Sequence, residues 1–191
     1  IGEGYHKEYG TDHAEVNAIE NVKDKSLLKK STLYVNLEPC AHFGKTPPCA
    51  NLIIESEIPK VVIGCADSYS EVSGKGIEKM QNIGIEVIVG VLEKESRELN
   101  KRFFTFYEQN RPYIILKWAK SLDKFIAPKN QNKPFWMTSK KSKILAHKWR
   151  SEEDAILVGR ITAEKDNPSL TVREGDGNNP IRLVIDKNLK L

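Results

Sequence analysis

The chain has 191 residues, 39% of them hydrophobic and 29% charged, and its 30 basic and 26 acidic residues give a formal net charge of +4. This composition excludes a disordered chain and suffices for one ordinary hydrophobic core or two small ones. So mild and scattered a charge does not indicate nucleic-acid binding. No apolar run could span a membrane and no signal peptide is visible, so the sequence predicts a cytoplasmic protein without a membrane partner.

The three cysteines also argue for a reducing compartment. An odd number cannot all pair in disulfides, and Cys40 and Cys49 flank a proline-rich loop downstream of His13. This arrangement favours metal ligation over disulfide bonding.

The first half of the chain alternates predicted helices and strands. Apolar periodicity predicts helices over 13–23, 49–57, 74–81 and 93–108, and β-branched runs predict strands over 32–37, 60–65 and 85–89. The run 60–65 is continuously apolar, which is typical of a parallel strand covered on both faces. The pattern predicts a three-layer α/β domain with a mostly parallel sheet.

A polar junction containing a proline, residues 109–112, separates the first half of the chain from a second half with a different residue pattern. We therefore expect two domains, over 1–110 and 111–191. In the second, the sequence predicts a strand over 113–119, a polar loop over 128–134, a basic amphipathic helix over 139–150, strands over 155–159 and 181–186, and a helix-like segment between these last two. This domain is also expected to be α/β.

The chemistry is concentrated in His13, Glu15, Cys40 and Cys49. Imidazole and thiolate side chains are zinc ligands, and three of them leave one tetrahedral position open for water. The two thiolates would balance the metal's charge while the cation lowers the pKa of that water toward neutrality. Glu15, in the first turn of a helix, could take the proton of the water and return it to a departing amine. This is the signature of zinc-dependent deaminases, except that residues 41–48 separate the cysteines where two residues are usual.

Several alternatives stay open on these residues alone. A structural zinc site would need a fourth protein ligand, for which His6 and His42 are the nearest candidates. His42 and Lys45 could equally be solvated loop residues. A zinc-stabilised binding module without catalysis, for example one that binds RNA, is the competing function from another class. A nucleoside or tRNA deaminase is disfavoured by the long loop and by the whole second half.

The stretch LEPCAHFGKTPPC at 37–49 resembles the bifunctional deaminase and reductase family of riboflavin biosynthesis. The resemblance covers the whole chain. In the second half it rests on 117–123, 136–139, 156–159, 166–173 and 180–186, which resemble the family's reductase. It implies a three-layer α/β/α cytidine-deaminase-like domain followed by part of an α/β domain similar to dihydrofolate reductase.

The resemblance also implies the reaction. The first domain would deaminate 2,5-diamino-6-(5-phosphoribosylamino)pyrimidin-4-one hydrolytically with zinc, and the second would reduce the ribosyl chain to ribityl with NADPH. The implied partner is a small phosphorylated pyrimidine, with no nucleic acid and no membrane, and a homo-oligomer is left open. The family's first helix and strand would precede Ile1, and its glycine-rich cofactor loop would follow Leu191, so truncation at both ends is expected.

Functional residues carry over by position. Glu15 would be catalytic, with His13, Cys40 and Cys49 as metal ligands. Substrate residues would be His6, His42 and Lys45 in the first domain and Pro134, Arg150, Leu170 and Arg173 in the second. Cofactor residues would be Ala119, Lys120, Trp136, Thr162, Asp166 and Lys187. Trp136 and Leu170 could equally be core residues, and Pro134 and Lys187 depart from the small hydroxyl residues that the family leads us to expect.

Overall fold

A computed structural model describes residues 1–69, 72–130 and 135–191. The chain forms two compact units, Ile1–Ile114 and Ile115–Leu191. In the described ranges, no helix combines the length and the apolar character needed to cross a bilayer.

The first unit alternates helices and strands as expected. Its elements are α1 (Ala14–Glu20), a 3-10 helix (Lys25–Lys30), β1 (Thr32–Leu37), α2 (Cys49–Glu55), β2 (Lys60–Cys65), α3 (Lys75–Asn82), β3 (Glu86–Val89), α4 (Glu93–Leu99) and α5 (Lys101–Gln109). The sheet has the order β1-β2-β3, and both strand pairs are parallel. The carboxyl ends of the strands therefore share one edge.

Strand β2 is the centre of the sheet and is buried on both faces. On one face, Val61 and Ile63 pack in a core with Ile53 of α2 and Met80 of α3. On the other, Gly64 lies so close to Ser96 of α4 that an added Cβ would collide with the serine side chain. Helices thus cover both faces of the sheet, which confirms the expected three-layer arrangement.

The predicted continuous helix over 93–108 was wrong in one respect, because the chain breaks it at Asn100. The Asn100 side-chain amide donates to the carbonyl of Ser96 at 2.9 Å, and its backbone leaves the helical region at φ −96°, ψ 17°. A side chain that bonds nearby backbone competes with helix continuation. The apolar spacing could not reveal this, since it continues across the break.

The second unit contains α6 (Lys140–Glu152), β4 (Ala155–Gly159), α7 (Arg160–Asp166) and β5 (Ile181–Ile185). Strands β4 and β5 are parallel, and α7 lies between them in the chain and contacts both. This half is therefore α/β, as expected. The predicted strand over 113–119 was wrong, because that segment has neither helix nor strand. A strand needs a hydrogen-bonded neighbour as well as suitable residues, and none of the described strands pairs with it.

Candidate metal centre and active site

Three elements bring His13, Cys40 and Cys49 together. His13 immediately precedes α1, Cys40 follows β1, and Cys49 is the first residue of α2. Nδ1 of His13 lies 3.5 Å from Sγ of Cys40 and 3.3 Å from Sγ of Cys49, and the three candidate ligand atoms all lie within 4.8 Å of one another. One nitrogen and two sulfur donors at this spacing suit zinc.

The start of α2 holds Cys40 in place. The backbone N–H of Cys49 donates to Sγ of Cys40 at 3.3 Å, and that of Ala50 donates to the Cys40 carbonyl at 3.1 Å. A hydrogen bond from the Cys49 thiol is the main cause that lowers the pKa of Cys40 to about 4, and the same shared proton raises the pKa of Cys49. Both sulfurs must be deprotonated to bind a metal, so the shared proton would be released on metal binding.

The cluster has no fourth protein ligand in the part of the chain that the structure describes. The His6 ring meets the His13 ring edge-on at 5.4 Å between centroids, and Nδ1 of His6 lies 3.1 Å from the carbonyl oxygen of Asp12. His42 packs instead against Tyr69. Neither histidine completes the site, so this geometry favours an open position over a closed structural centre.

Glu15 lies beside the cluster without joining it. It sits in the first turn of α1 with 9% of its surface exposed. Burial is the main cause that raises the pKa of Glu15. A carboxyl group with a raised pKa is suited to both accept and return a proton near neutral pH.

Asp67 is a neighbouring polar residue that the sequence analysis missed. It follows β2 at the edge where Cys40 follows β1, is 8% exposed, and accepts from the N–H of Tyr69 at 2.7 Å. Burial raises the pKa of its carboxyl group. The signal for it was its place after a buried parallel strand, where the sites of α/β sheets form.

The three predicted substrate residues of this unit lie in different surroundings. His6 contacts His13, as described above. His42 Nδ1 is buried without a hydrogen-bond partner among the described residues, and the adjoining Tyr69 ring packs on Tyr107 of α5 at 4.9 Å between centroids. Nζ of Lys45 lies 4.0 Å from the centroid of the Tyr9 ring.

In the second unit, two of the predicted substrate residues, Arg150 and Arg173, lie near His147. Arg150 donates to the carbonyl of Thr171 at 2.6 Å, and the N–H of Arg173 donates to Nδ1 of His147 at 3.0 Å. Leu170 directly precedes Thr171 and has a positive φ of 56°. Burial and the charge of Arg173 lower the pKa of Arg150, whose Nε has no hydrogen-bond partner within the described ranges of the chain. Two guanidinium groups held this way would attract an anion. Pro134 lies outside the described residues.

The predicted cofactor residues are more dispersed. Thr162 and Asp166 lie on α7 four positions apart, hence on one face. Ala119 and Lys120 lie in the segment without helix or strand, Trp136 precedes α6 with Nζ of Lys143 5.8 Å from its ring, and Lys187 follows β5.

Two protein-family models match the chain. Residues 1–65 match the cytidine and deoxycytidylate deaminase zinc-binding region, and residues 112–191 match the RibD C-terminal domain. The first match contains all three clustered ligands and Glu15.

Curated relatives match over the whole chain. The riboflavin biosynthesis protein RibD of Aquifex aeolicus is 49% identical over 192 residues, covering 100% of this chain and 53% of that protein. The protein of the same name from Bacillus amyloliquefaciens is 44% identical, covering 99% of this chain and 50% of that protein. The chain thus spans about half the length of the curated relatives it matches.

Solved structures also match nearly the whole chain. A diaminohydroxyphosphoribosylaminopyrimidine deaminase/5-amino-6-(5-phosphoribosylamino)uracil reductase from Thermotoga maritima has a TM-score of 0.90 at 45% identity, covering 98% of this chain and 53% of that one. Acinetobacter baumannii RibD has a TM-score of 0.86 at 33% identity, covering 100% of this chain and 55% of that one. With both halves matching successive parts of the same kind of protein, the chain belongs to the RibD family.

Proposed function

We propose that the first unit deaminates 2,5-diamino-6-(5-phosphoribosylamino)pyrimidin-4-one hydrolytically in riboflavin biosynthesis. The observation that carries the proposal is the buried Glu15 carboxyl group beside a cluster of one imidazole and two thiols that lacks a fourth protein ligand in the described chain. A purely structural zinc centre does not require a buried acid with a raised pKa beside it.

Each residue of the site has a defined task. Zinc bound by His13, Cys40 and Cys49 would hold a water and lower its pKa toward neutrality. Glu15 accepts a proton from the attacking water and returns it to the departing amine, which leaves as ammonia while the ring carbon becomes a carbonyl. His42, whose buried Nδ1 has no hydrogen-bond partner among the described residues, and Lys45, with its cationic side chain, serve the substrate's ring and phosphate.

For the second unit we propose the NADPH-dependent reduction of the ribosyl chain to ribityl. Arg150 and Arg173 support this proposal, since two guanidinium groups converging on residues 169–173 suit a phosphate. On α7, Thr162 and Asp166 would face the nicotinamide cofactor. The match of residues 112–191 to the RibD C-terminal domain supports the same assignment.

The proposed partner is therefore a small phosphorylated pyrimidine and not a nucleic acid. The proposed compartment is the cytoplasm, because Cys40, Cys49 and Cys65 are all free thiols in the structure and a thiol-ligated metal is best kept under reducing conditions.

The metal and proton roles can be tested in one set of variants. Cys49→Ser should lose most of the zinc, whereas Glu15→Gln should keep the zinc and the fold while deamination falls on the order of a hundredfold or more. Zinc content and ammonia release from the phosphorylated pyrimidine are the two measurements. Cys65→Ser is the matched control: Cys65 is buried outside the cluster and donates to the carbonyl of Asn36, a bond that serine can keep.

Each alternative gives a different result. Unchanged zinc in Cys49→Ser would contradict the ligand assignment, and near-normal turnover in Glu15→Gln would move the proton to another group. Stoichiometric zinc without ammonia release would indicate a binding module, and preferential turnover of cytidine would indicate a nucleoside deaminase.

A further inference from the structure

Glu38 is a buried carboxylate that the proposed chemistry does not use. It follows β1, two residues before Cys40, and is 3% exposed. Its Oε2 accepts from the backbone N–H groups of Asp67 at 3.2 Å and Gly74 at 3.0 Å. Its Oε1 accepts from Gly76 at 3.0 Å and Ile77 at 3.3 Å, in the first turn of α3.

A second contact joins the same two segments. A Cβ added to Gly76 would collide with the carbonyl oxygen of Pro39 and would lie 3.3 Å from Oε1 of Glu38. The first turn of α3 therefore lies directly on the backbone that leads into Cys40. Only a glycine allows this approach.

This arrangement fixes Cys40 from two directions. On one side, the N–H groups of Cys49 and Ala50 hold its sulfur and its carbonyl. On the other, the four bonds of Glu38 tie the preceding residues to α3 and to Asp67. An apolar side chain could fill the same space without the cost of burying a charge, so packing alone does not account for a carboxylate here. What a carboxylate adds is the directional fixing of four amides at once.

We propose that Glu38 is a positioning residue that holds the Cys40 sulfur in ligand geometry and holds Asp67 at the wall of the same site. This inference rests on the proposed zinc site. Replacing a residue that orients a metal ligand without itself binding the metal typically lowers metal affinity by about 10- to 100-fold.

The test is Glu38→Gln in the full chain. The glutamine side chain has one acceptor oxygen, and its NH2 group would face two N–H donors. We expect zinc to be released to a chelator at least about tenfold faster than from wild type. The cobalt-substituted protein should show shifted visible absorption bands, which report the ligand geometry. Gly76→Ala should act in the same direction by displacing Pro39, and it answers the same question should Glu38→Gln fail to fold.

Met80→Ala is the matched control. Met80 is fully buried on α3 and packs in the core one turn beyond the amides that bind Glu38, so its truncation weakens the docking of the same helix without removing any of the four bonds. A lower melting temperature with wild-type zinc release in Met80→Ala, against accelerated release in Glu38→Gln, supports the proposal.

Two results would overturn it. One is wild-type zinc release and an unchanged cobalt spectrum in a folded Glu38→Gln protein. The other is an equal acceleration of zinc release in Met80→Ala at an equal loss of melting temperature. That result would show that Glu38 contributes only to general stability. A wild-type chain that binds no metal would overturn the proposed function itself, and this inference with it.

Discussion

Lys45 lies in the loop between the two cysteine ligands, and its ammonium group lies 4.0 Å from the centroid of the Tyr9 ring. Tyr9 is highly exposed, so the contact is a weak one that an anionic ligand can replace. We predict that Lys45 meets the substrate's phosphate. Lys45→Ala should then raise KM for the phosphorylated pyrimidine more than for its dephosphorylated analogue, without changing zinc content.

The control is Lys30→Ala, which removes a lysine from the 3-10 helix that precedes β1. Equal losses on both substrates in Lys45→Ala would assign the residue to loop structure or to the ring. No loss on either would leave Lys45 a solvated lysine.

At the scale of single residues, the sequence identified the proposed reactive residues better than the residues that would position them. His13, Glu15, Cys40 and Cys49 are recognisable because their imidazole, carboxyl and thiol groups occur in the order of a known zinc-site motif. Glu38 is different, since its four partners are backbone amides 29 to 39 positions further along the chain. The residue types of Gly74 and Gly76 do not indicate that their backbone N–H groups donate to a carboxylate.

His147 links α6 to the segment after Ser169 in the second unit. It is 2% exposed, and Nδ1 must stay unprotonated to accept from the N–H of Arg173. Burial is the main cause that lowers the pKa of His147, followed by the charges of Arg150 and Arg173, while Glu174 opposes them. The unfolded chain therefore takes up a proton on His147 that the folded chain resists.

The pH dependence follows from that difference. Because the folded pKa lies below the ordinary value of 6.5, stability is fully present above about pH 6.5 and is lost as the pH falls below it. We predict a lower urea midpoint at pH 5.5 than at pH 7.5. His147→Gln keeps an acceptor that does not titrate in this range, so its midpoint should change less. Equal pH dependence in both proteins would contradict this role.

At the scale of helices and strands, the sequence predicted most accurately the elements whose formation depends on a single residue pattern. Strands β1 and β2 begin and end where their β-branched runs do, because burial of those residues is what forms them. The segment 113–119 has equally suitable residues, yet the chain offers it no described neighbour strand. The break at Asn100 depends on one side-chain hydrogen bond that periodicity does not record.

All three tryptophans of the chain, Trp118, Trp136 and Trp149, lie in the second unit. Tryptophan emission therefore reports on that unit alone, while zinc content reports on the first. We predict that NADPH quenches the emission of the full chain, and that the quenching is equally strong in the zinc-deficient Cys49→Ser variant.

The source of the quenching can be separated by two replacements. Trp136→Phe should lose most of the NADPH-dependent signal, because Trp136 is the one tryptophan among the predicted cofactor residues, whereas Trp149→Phe on α6 should keep it. Absence of quenching in the wild-type chain would contradict the assignment of NADPH to these residues.

The order of residues along the chain also has a consequence for synthesis on the ribosome. The three metal ligands emerge by Cys49, but the amides that bind Glu38 emerge only between Asp67 and Ile77. At about 5 to 20 residues per second, the nascent chain presents its thiols without this support for roughly 1 to 6 seconds. During that interval the proposed ligands would meet whichever thiophilic cation the cell makes most available. In its proposed role, Glu38 would then retain a metal that has already been selected.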